Sequence, residues 1–207
     1  MITINKLLVL LFSVFSVGLL IYSFFLPNDS EVYRLIGFYD FALCVYFLYD
    51  FFKQLFSEEN KWRYFYTVGW LDLVSSIPVV SQFRMLRFVR IFRVFKMIKS
   101  IRKLIKFFAH NKKDSIFGFI VFLVVVSIIL TSTAVLHFEH EVGNIKTAED
   151  ALWWTFITIT TVGYGDYYPV TGFGKLSATL LIATGIGFFG AVISFVTDKV
   201  NSIKTNP

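Results

Sequence analysis

Residues 158–166 read TITTVGYGD, and the chemistry they offer is that of the backbone. Gly163 and Gly165 permit positive φ at no steric cost, so the successive carbonyls of Thr161, Val162, Gly163, Tyr164 and Gly165 can point the same way. Four such strands around an axis would stack rings of oxygen, and the Thr161 hydroxyl would add a further ring at the inner end. Dipoles arranged in this way replace the water that a dehydrating cation gives up. Irregular backbone at membrane depth is tolerated only where protein or a water-filled path satisfies it, so the stretch implies a lined conduit.

A second constellation is FRMLRFVRIFRVFKMIK, residues 83–99, with Arg84, Arg87, Arg90, Arg93, Lys96 and Lys99 at every third position and apolar residues between. Each cation costs about 2.5 to 3.5 kcal/mol at the centre of a spanning helix, and each apolar residue returns about 0.3 to 0.6. The sum is unfavourable by roughly 10 kcal/mol, so the helix needs acids, water or headgroups beside it. Asp40, Asp50 and Asp72 are the acids within apolar stretches. Asp40, Phe47 and Asp50 are spaced by seven and three, which puts them on one helical face. At 1.5 Å per residue about 15 Å separates the two carboxylates, with the Phe47 ring between them.

The elements that must position these residues are membrane helices. The chain of 207 residues is 56% hydrophobic and 19% aromatic, with 26 Phe, well outside the range of soluble domains. Leu7–Leu26, Ile116–Leu136 and Leu176–Thr197 carry no charge and are each long enough for a hydrocarbon core of about 30 Å. A secretory signal is the alternative for the first, but its apolar run is too long for one and no cleavage site comes after it. Further segments are expected over 33–56, 62–80, where Pro78 marks an end or a kink, and the basic stretch itself. Lys99–Lys113 reads as a basic amphipathic helix at the inner membrane surface, and Asp114-Ser115 as the cap of the next span. The run 148–160 is too short to cross and reads as a re-entrant helix. Eleven of the 20 Lys and Arg fall within 84–113 with no acid among them, whereas 139–150 is mainly acidic. The positive-inside rule then places the basic region and both termini in the cytosol. Cys44, a single cysteine in an apolar run, reads as a buried small hydrophobe.

TVGYGD between a re-entrant helix and a final span, preceded by five further apolar segments, resembles the six-segment voltage-gated potassium channels. TVGYG is itself the standard example of a carbonyl cage for K⁺, so the identity of the ion rests on the resemblance of the motif. The resemblance implies an all-α membrane protein: a four-helix voltage-sensor domain over 1–99, an amphipathic linker over 100–113, and a pore domain over 114–207 with outer helix, pore helix, filter and inner helix. It implies a homotetramer conducting K⁺ passively across the cell membrane, with K⁺ as transported substrate at Thr161 to Gly165 and no cofactor. By the same resemblance Trp153 and Trp154 form a cuff with Tyr164, Trp153 hydrogen-bonds Asp166, and Glu139 ties the outer helix to the filter region. Asp50 and Asp72 form an inner acid site, Asp40 an outer one, and Phe47 the plug each cation must pass. Gly185 matches the hinge glycine of the inner helix. Sliding by one triplet returns an equivalent set of ion pairs. The fourth helix therefore has several states of similar energy, and a potential selects among them at about 2.3 kcal/mol per charge per 100 mV.

Alternatives stand beside this reading. Trp153 and Trp154 also suit an interfacial belt, and Gly185, Gly187 and Gly190 also suit close helix packing. His137 and His140, at i, i+3, suit a metal, though ordinary interfacial histidines are preferred. Lys96 and Lys99 reach the inner interface and can snorkel. The Pro-Val-Pro bend of animal channels is replaced by Val192-Ile193-Ser194, which leaves the gate open to question. No amino-terminal assembly domain or carboxy-terminal ligand domain is read, so tetramer contacts are expected from the membrane part. Gating by ligand, lipid or proton with a static fourth helix is the second functional reading; a membrane-anchored protein using 84–113 for anionic surfaces is the third. Anionic lipid at the linker is expected, nucleic acid is not, and no nucleophile, base and metal set suggests an enzyme.

Overall fold

The computed structural model describes residues 4–27, 29–57, 65–70, 73 and 112–205. Asp72, the basic positions Arg84, Arg87, Arg90, Arg93, Lys96 and Lys99, and residues 100–111 of the expected linker lie outside the described residues. All regular structure among the described residues is helical. Two compact units are present, Met1–Gly118 and Phe119–Pro207.

In the first unit, α1 spans Ile4–Phe24 and α2 spans Glu31–Ser57. The turn expected at 27–30 separates them. Ser30 makes it a start signal as well as a stop: its hydroxyl accepts the N–H of Tyr33 at 3.2 Å and donates to the Pro27 carbonyl at 2.9 Å, capping α2. The two helices pack together, with the Phe12 ring edge-on to Tyr46 at 5.5 Å. Ser13 and Ser16 lie buried in α1 without stranding a polar group, because their hydroxyls donate to Val9 O and Ser13 O. Small hydroxyl residues satisfied within their own helix let two membrane helices approach closely. In the expected third segment the described piece is a π-helical turn, Phe65–Gly69.

The second unit is built from the length of α3 beyond Gly118 and from two further helices. Helix α3 spans Lys112–Glu139, α4 Ala148–Ile159 and α5 Gly172–Thr205. The expectation that Asp114-Ser115 caps α3, and that Lys112 and Lys113 close the linker, is corrected: all four residues lie inside α3. None of them breaks a helix, and the charged first turn can lie beyond the apolar span, so helix propagation overrides the cap signal. Likewise α5 begins at Gly172, before the apolar run, and continues unbroken through Val192-Ile193-Ser194 to Thr205. Among the described residues four helices are long and apolar enough to cross a membrane: Leu7–Phe24, Glu31–Ser57, Ile116–Glu139 and Gly172–Asp198. Helix α4, 12 residues or about 18 Å long, is not. Within the unit, α3 meets α5 through Ser127 Oγ and Thr184 Oγ1 at 3.2 Å and through the stacked rings of Phe138 and Phe173 at 5.0 Å.

Candidate functional site

The end of α4 shapes the strand after it. Thr160 N–H donates to Phe156 O, Thr161 N–H to Thr158 O at 3.0 Å, and the N–H groups of Val162 and Gly163 both donate to Ile157 O at 2.9 and 3.1 Å. Every peptide here is trans, and a trans peptide holds its N–H and C=O on opposite sides. The carbonyls of Thr160, Thr161 and Val162 therefore face away from α4. Positive φ recurs at alternate residues: 60° at Thr161, 54° at Gly163 and 82° at Gly165. A Cβ at either glycine would meet nothing within 4 Å, so the backbone angle and not crowding demands glycine there. Thr161 was not expected to share this conformation. For a β-branched residue the left-handed region costs on the order of 1 to 3 kcal/mol, so the strand begins under strain.

Side chains from three elements hold the outer end. The Trp153 indole N–H donates to Asp166 Oδ2 at 2.7 Å, the bond implied by the resemblance, and its ring lies parallel to Tyr164 with centroids 6.0 Å apart. Trp154 is buried, which sets it apart from an interfacial belt. Glu139, 0% exposed at the end of α3, accepts the Val170 N–H at 2.9 Å, the Thr171 N–H at 2.9 Å and the Thr171 hydroxyl at 2.5 Å. Thr171 in turn accepts the Gly174 N–H at 3.0 Å and caps α5, so the carboxylate sits at the positive end of that helix. A Cβ on Gly143 or Gly174 would collide with the Glu139 carboxylate. These two glycines, Thr171 and Asn144, whose amide reaches Asp166 O and Tyr168 N, are contact positions of the candidate site that sequence reasoning passed over.

The start of α4 is fixed by a reciprocal cap. Thr147 accepts the Asp150 N–H, and Asp150 accepts the N–H groups of Thr147 at 2.9 Å and Lys146 at 3.1 Å. The spacing Thr-x-x-Asp is the legible signal for this arrangement. Burial pushes the Asp150 carboxyl up, but hydrogen bonds from the Thr147 backbone, the Tyr167 hydroxyl and the Lys146 backbone outweigh it and hold the group below its ordinary 3.8. The same bond pushes the Tyr167 hydroxyl above its ordinary 10.0. His140 Nδ1 lies 2.8 Å from Lys146 O, and the His137 ring packs edge-on to Phe138. Among the described residues no group of three or more His, Cys, Asp or Glu is arranged to hold a metal.

On α5, Gly185 is a contact position: a Cβ there would stand 2.5 Å from the Ile159 carbonyl oxygen at the end of α4. A Cβ at Gly187 or Gly190 would meet nothing within 4 Å. In α2, Asp40, Phe47 and Asp50 are all buried, on the face shared by Leu43 and Cys44. Asp50 Oδ2 accepts from Gln54 Nε2 at 2.6 Å, and the buried Cys44 thiol lies 4.0 Å from Asp40 Oδ2.

The family match falls mainly on the second unit. Residues 116–202 match the family model described as "Ion channel". The chain is 40% identical over 84 residues to the mouse (Mus musculus) protein "Potassium voltage-gated channel subfamily V member 2", covering 40% of this chain and 15% of that one. It is 35% identical over 86 residues to the human (Homo sapiens) "Potassium voltage-gated channel subfamily A member 6", covering 41% and 16%. The rat (Rattus norvegicus) protein of the same description is 36% identical over the same length. The chain thus spans about a sixth of the length of these relatives. The segment α3–α4–α5, which holds the carbonyl strand and its three ties, is thus similar to the ion-channel family and to proteins named as voltage-gated potassium channels.

Proposed function

We propose that the chain is one subunit of a homotetrameric, voltage-gated, K⁺-selective channel. One observation carries the reading: the amides of Val162 and Gly163 turn back onto Ile157 and left-handed residues alternate at 161, 163 and 165, which supports a row of carbonyls directed at an axis outside the subunit. One chain supplies one wall. Four walls give cages of eight oxygens between successive rings, which match a dehydrated cation whose ligands are neutral dipoles. The relatives named as potassium channels support K⁺ as that ion.

Control by voltage rests on the first unit. Buried carboxylates on α2, one each side of the fully buried Phe47, need compensating charge. The triplet cations from Arg84 to Lys99 supply it by sequence. In this reading α1 and α2 belong to a sensor domain, Asp72 joins Asp50, the termini are cytoplasmic, and the basic linker lies on anionic lipid. A second reading is supported by the extent of the family match, which begins at residue 116 and leaves the first 115 outside it. There the same pore opens by ligand, lipid or proton while the fourth helix stays still.

Recording the purified protein in a planar bilayer under a K⁺/Na⁺ gradient, with stepped voltage, tests both. Equal permeation of Na⁺ and K⁺ removes the selective pore. Arg90→Gln and Arg93→Gln are expected to shift or flatten the conductance–voltage curve with selectivity intact; an unchanged curve and no gating current favour the second reading.

A further inference from the structure

The outer loop between α3 and α4 contributes a tie that neither the pore helix nor Glu139 provides. Asn144 Nδ2 donates to the carbonyl of Asp166 at 2.8 Å, while its Oδ1 accepts the N–H of Tyr168 at 3.4 Å. The two ends of the amide thus engage the peptide planes on either side of Tyr167, as a neighbouring strand would. Only one orientation of the amide works, because Asp166 offers a carbonyl acceptor and Tyr168 an N–H donor. The loop that carries Asn144 is held on both sides. Gly143 N–H donates to Glu139 O at 2.7 Å, Ile145 is fully buried, and Lys146 N–H is bound by Asp150. A side chain on so fixed a base loses little freedom when it binds, and its grip on the post-filter strand is correspondingly firm.

This matters for ions because parallel carbonyls repel one another and the strand opens on a strained Thr161. Cations between the rings offset that repulsion; when they leave, only hydrogen bonds keep the peptides in register. The inner end is tied by amides to Ile157 O and the outer end by Trp153 and Asn144. Resting on the channel reading above, we propose that Asn144 is a positioning residue for conduction. Its amide locks the peptides flanking Tyr167 and keeps the carbonyl row of Thr161–Gly165 in its conducting form when ion occupancy is low.

Asn144→Asp separates this role from simple loop folding. Asp suits turns as Asn does, and it keeps the weaker acceptor contact, but it loses the donor and sets an anion against the Asp166 carbonyl. The measurement is the decay of current through wild-type, Asn144→Ala and Asn144→Asp channels in planar bilayers at constant voltage. Low and high K⁺ are compared on the face bearing Asp166. Both variants are expected to lose current faster than wild type at low K⁺, by about fivefold, the factor one neutral hydrogen bond commands. High K⁺ should restore them. Asn144→Asp decaying like wild type at low K⁺, or decay that high K⁺ does not slow, overturns the assignment while leaving the channel reading intact. Wild type that passes no K⁺-selective current removes that reading and this inference with it.

Discussion

A carboxylate with no exposed surface has to be surrounded by donors, and Glu139 has three of them plus the start of α5. Glu139→Gln keeps the volume and removes the charge, turning an NH₂ group towards N–H donors. Each donor left unsatisfied costs about 1 to 3 kcal/mol. The variant should therefore lower the thermal midpoint of the detergent-solubilised protein, and Gly174→Ala should reproduce much of that loss by displacing the same carboxylate. Because both changes act on one contact, the double variant is expected to be less destabilised than the two single effects added together; strict additivity in a thermal melt would argue that they act separately. Asp150 makes a pH-dependent contribution. Its folded-state value is depressed, so its stabilisation is fully present above the ordinary 3.8 and is lost as pH falls below that value through the folded one. Wild type should exceed Asp150→Asn in thermal stability at neutral pH, and the gap should close on acidification below about 3.8.

At the scale of elements, the contact between α4 and α5 depends on a missing side chain. Gly185→Ala drives a methyl group against the carbonyl of Ile159, the residue that ends α4 just before the carbonyl strand. Overpacking of this kind costs about 1 to 3 kcal/mol. Gly187→Ala and Gly190→Ala add a methyl group where nothing stands within 4 Å, and a helix interior gains about 0.5 to 1 kcal/mol from the exchange. Single-channel recording should show reduced conductance or open time for Gly185→Ala alone. If all three behave alike, the contact with Ile159 does not set the filter's geometry. The short helix α4 was legible in advance because its length forbids crossing, and its bounds agree with the expected 148–160 to one residue. The start of α3 was not, because Asp114-Ser115 is a valid cap sequence that helix continuation overrode.

At the scale of the whole molecule, the burial of the apolar helices is uneven. Of the apolar span Gly172–Asp198 only 11% is buried within the chain, against 44% for Leu7–Phe24. Tyr164 in the carbonyl strand and Phe156 on α4 are 69% and 62% exposed. Lipid suits one side of such a helix, but irregular backbone such as 161–165 cannot face hydrocarbon. In the proposed tetramer, further copies of the chain around the strand answer that demand. Light scattering in mild detergent is expected to give the protein mass of four chains, and Phe156→Glu to reduce it; a monomer that still conducts K⁺ would refute the shared axis.

Local chemistry that depends on residue type alone was readable without coordinates. Glycine where φ must be positive, apolar length against bilayer thickness, and a seven-and-three spacing that puts Asp40, Phe47 and Asp50 on one face are each set by short-range sterics or a single helical period. The left-handed Thr161, the Asn144 clamp and the glycines around Glu139 were decided only by tertiary structure. Hydrogen bonds between Asn144 and Asp166, or Glu139 and Thr171, join residues 22 and 32 apart along the chain. No period or propensity encodes such a pair, because the energy of the bond exists only once helices α3, α4 and α5 have brought its two ends within 3 Å of each other.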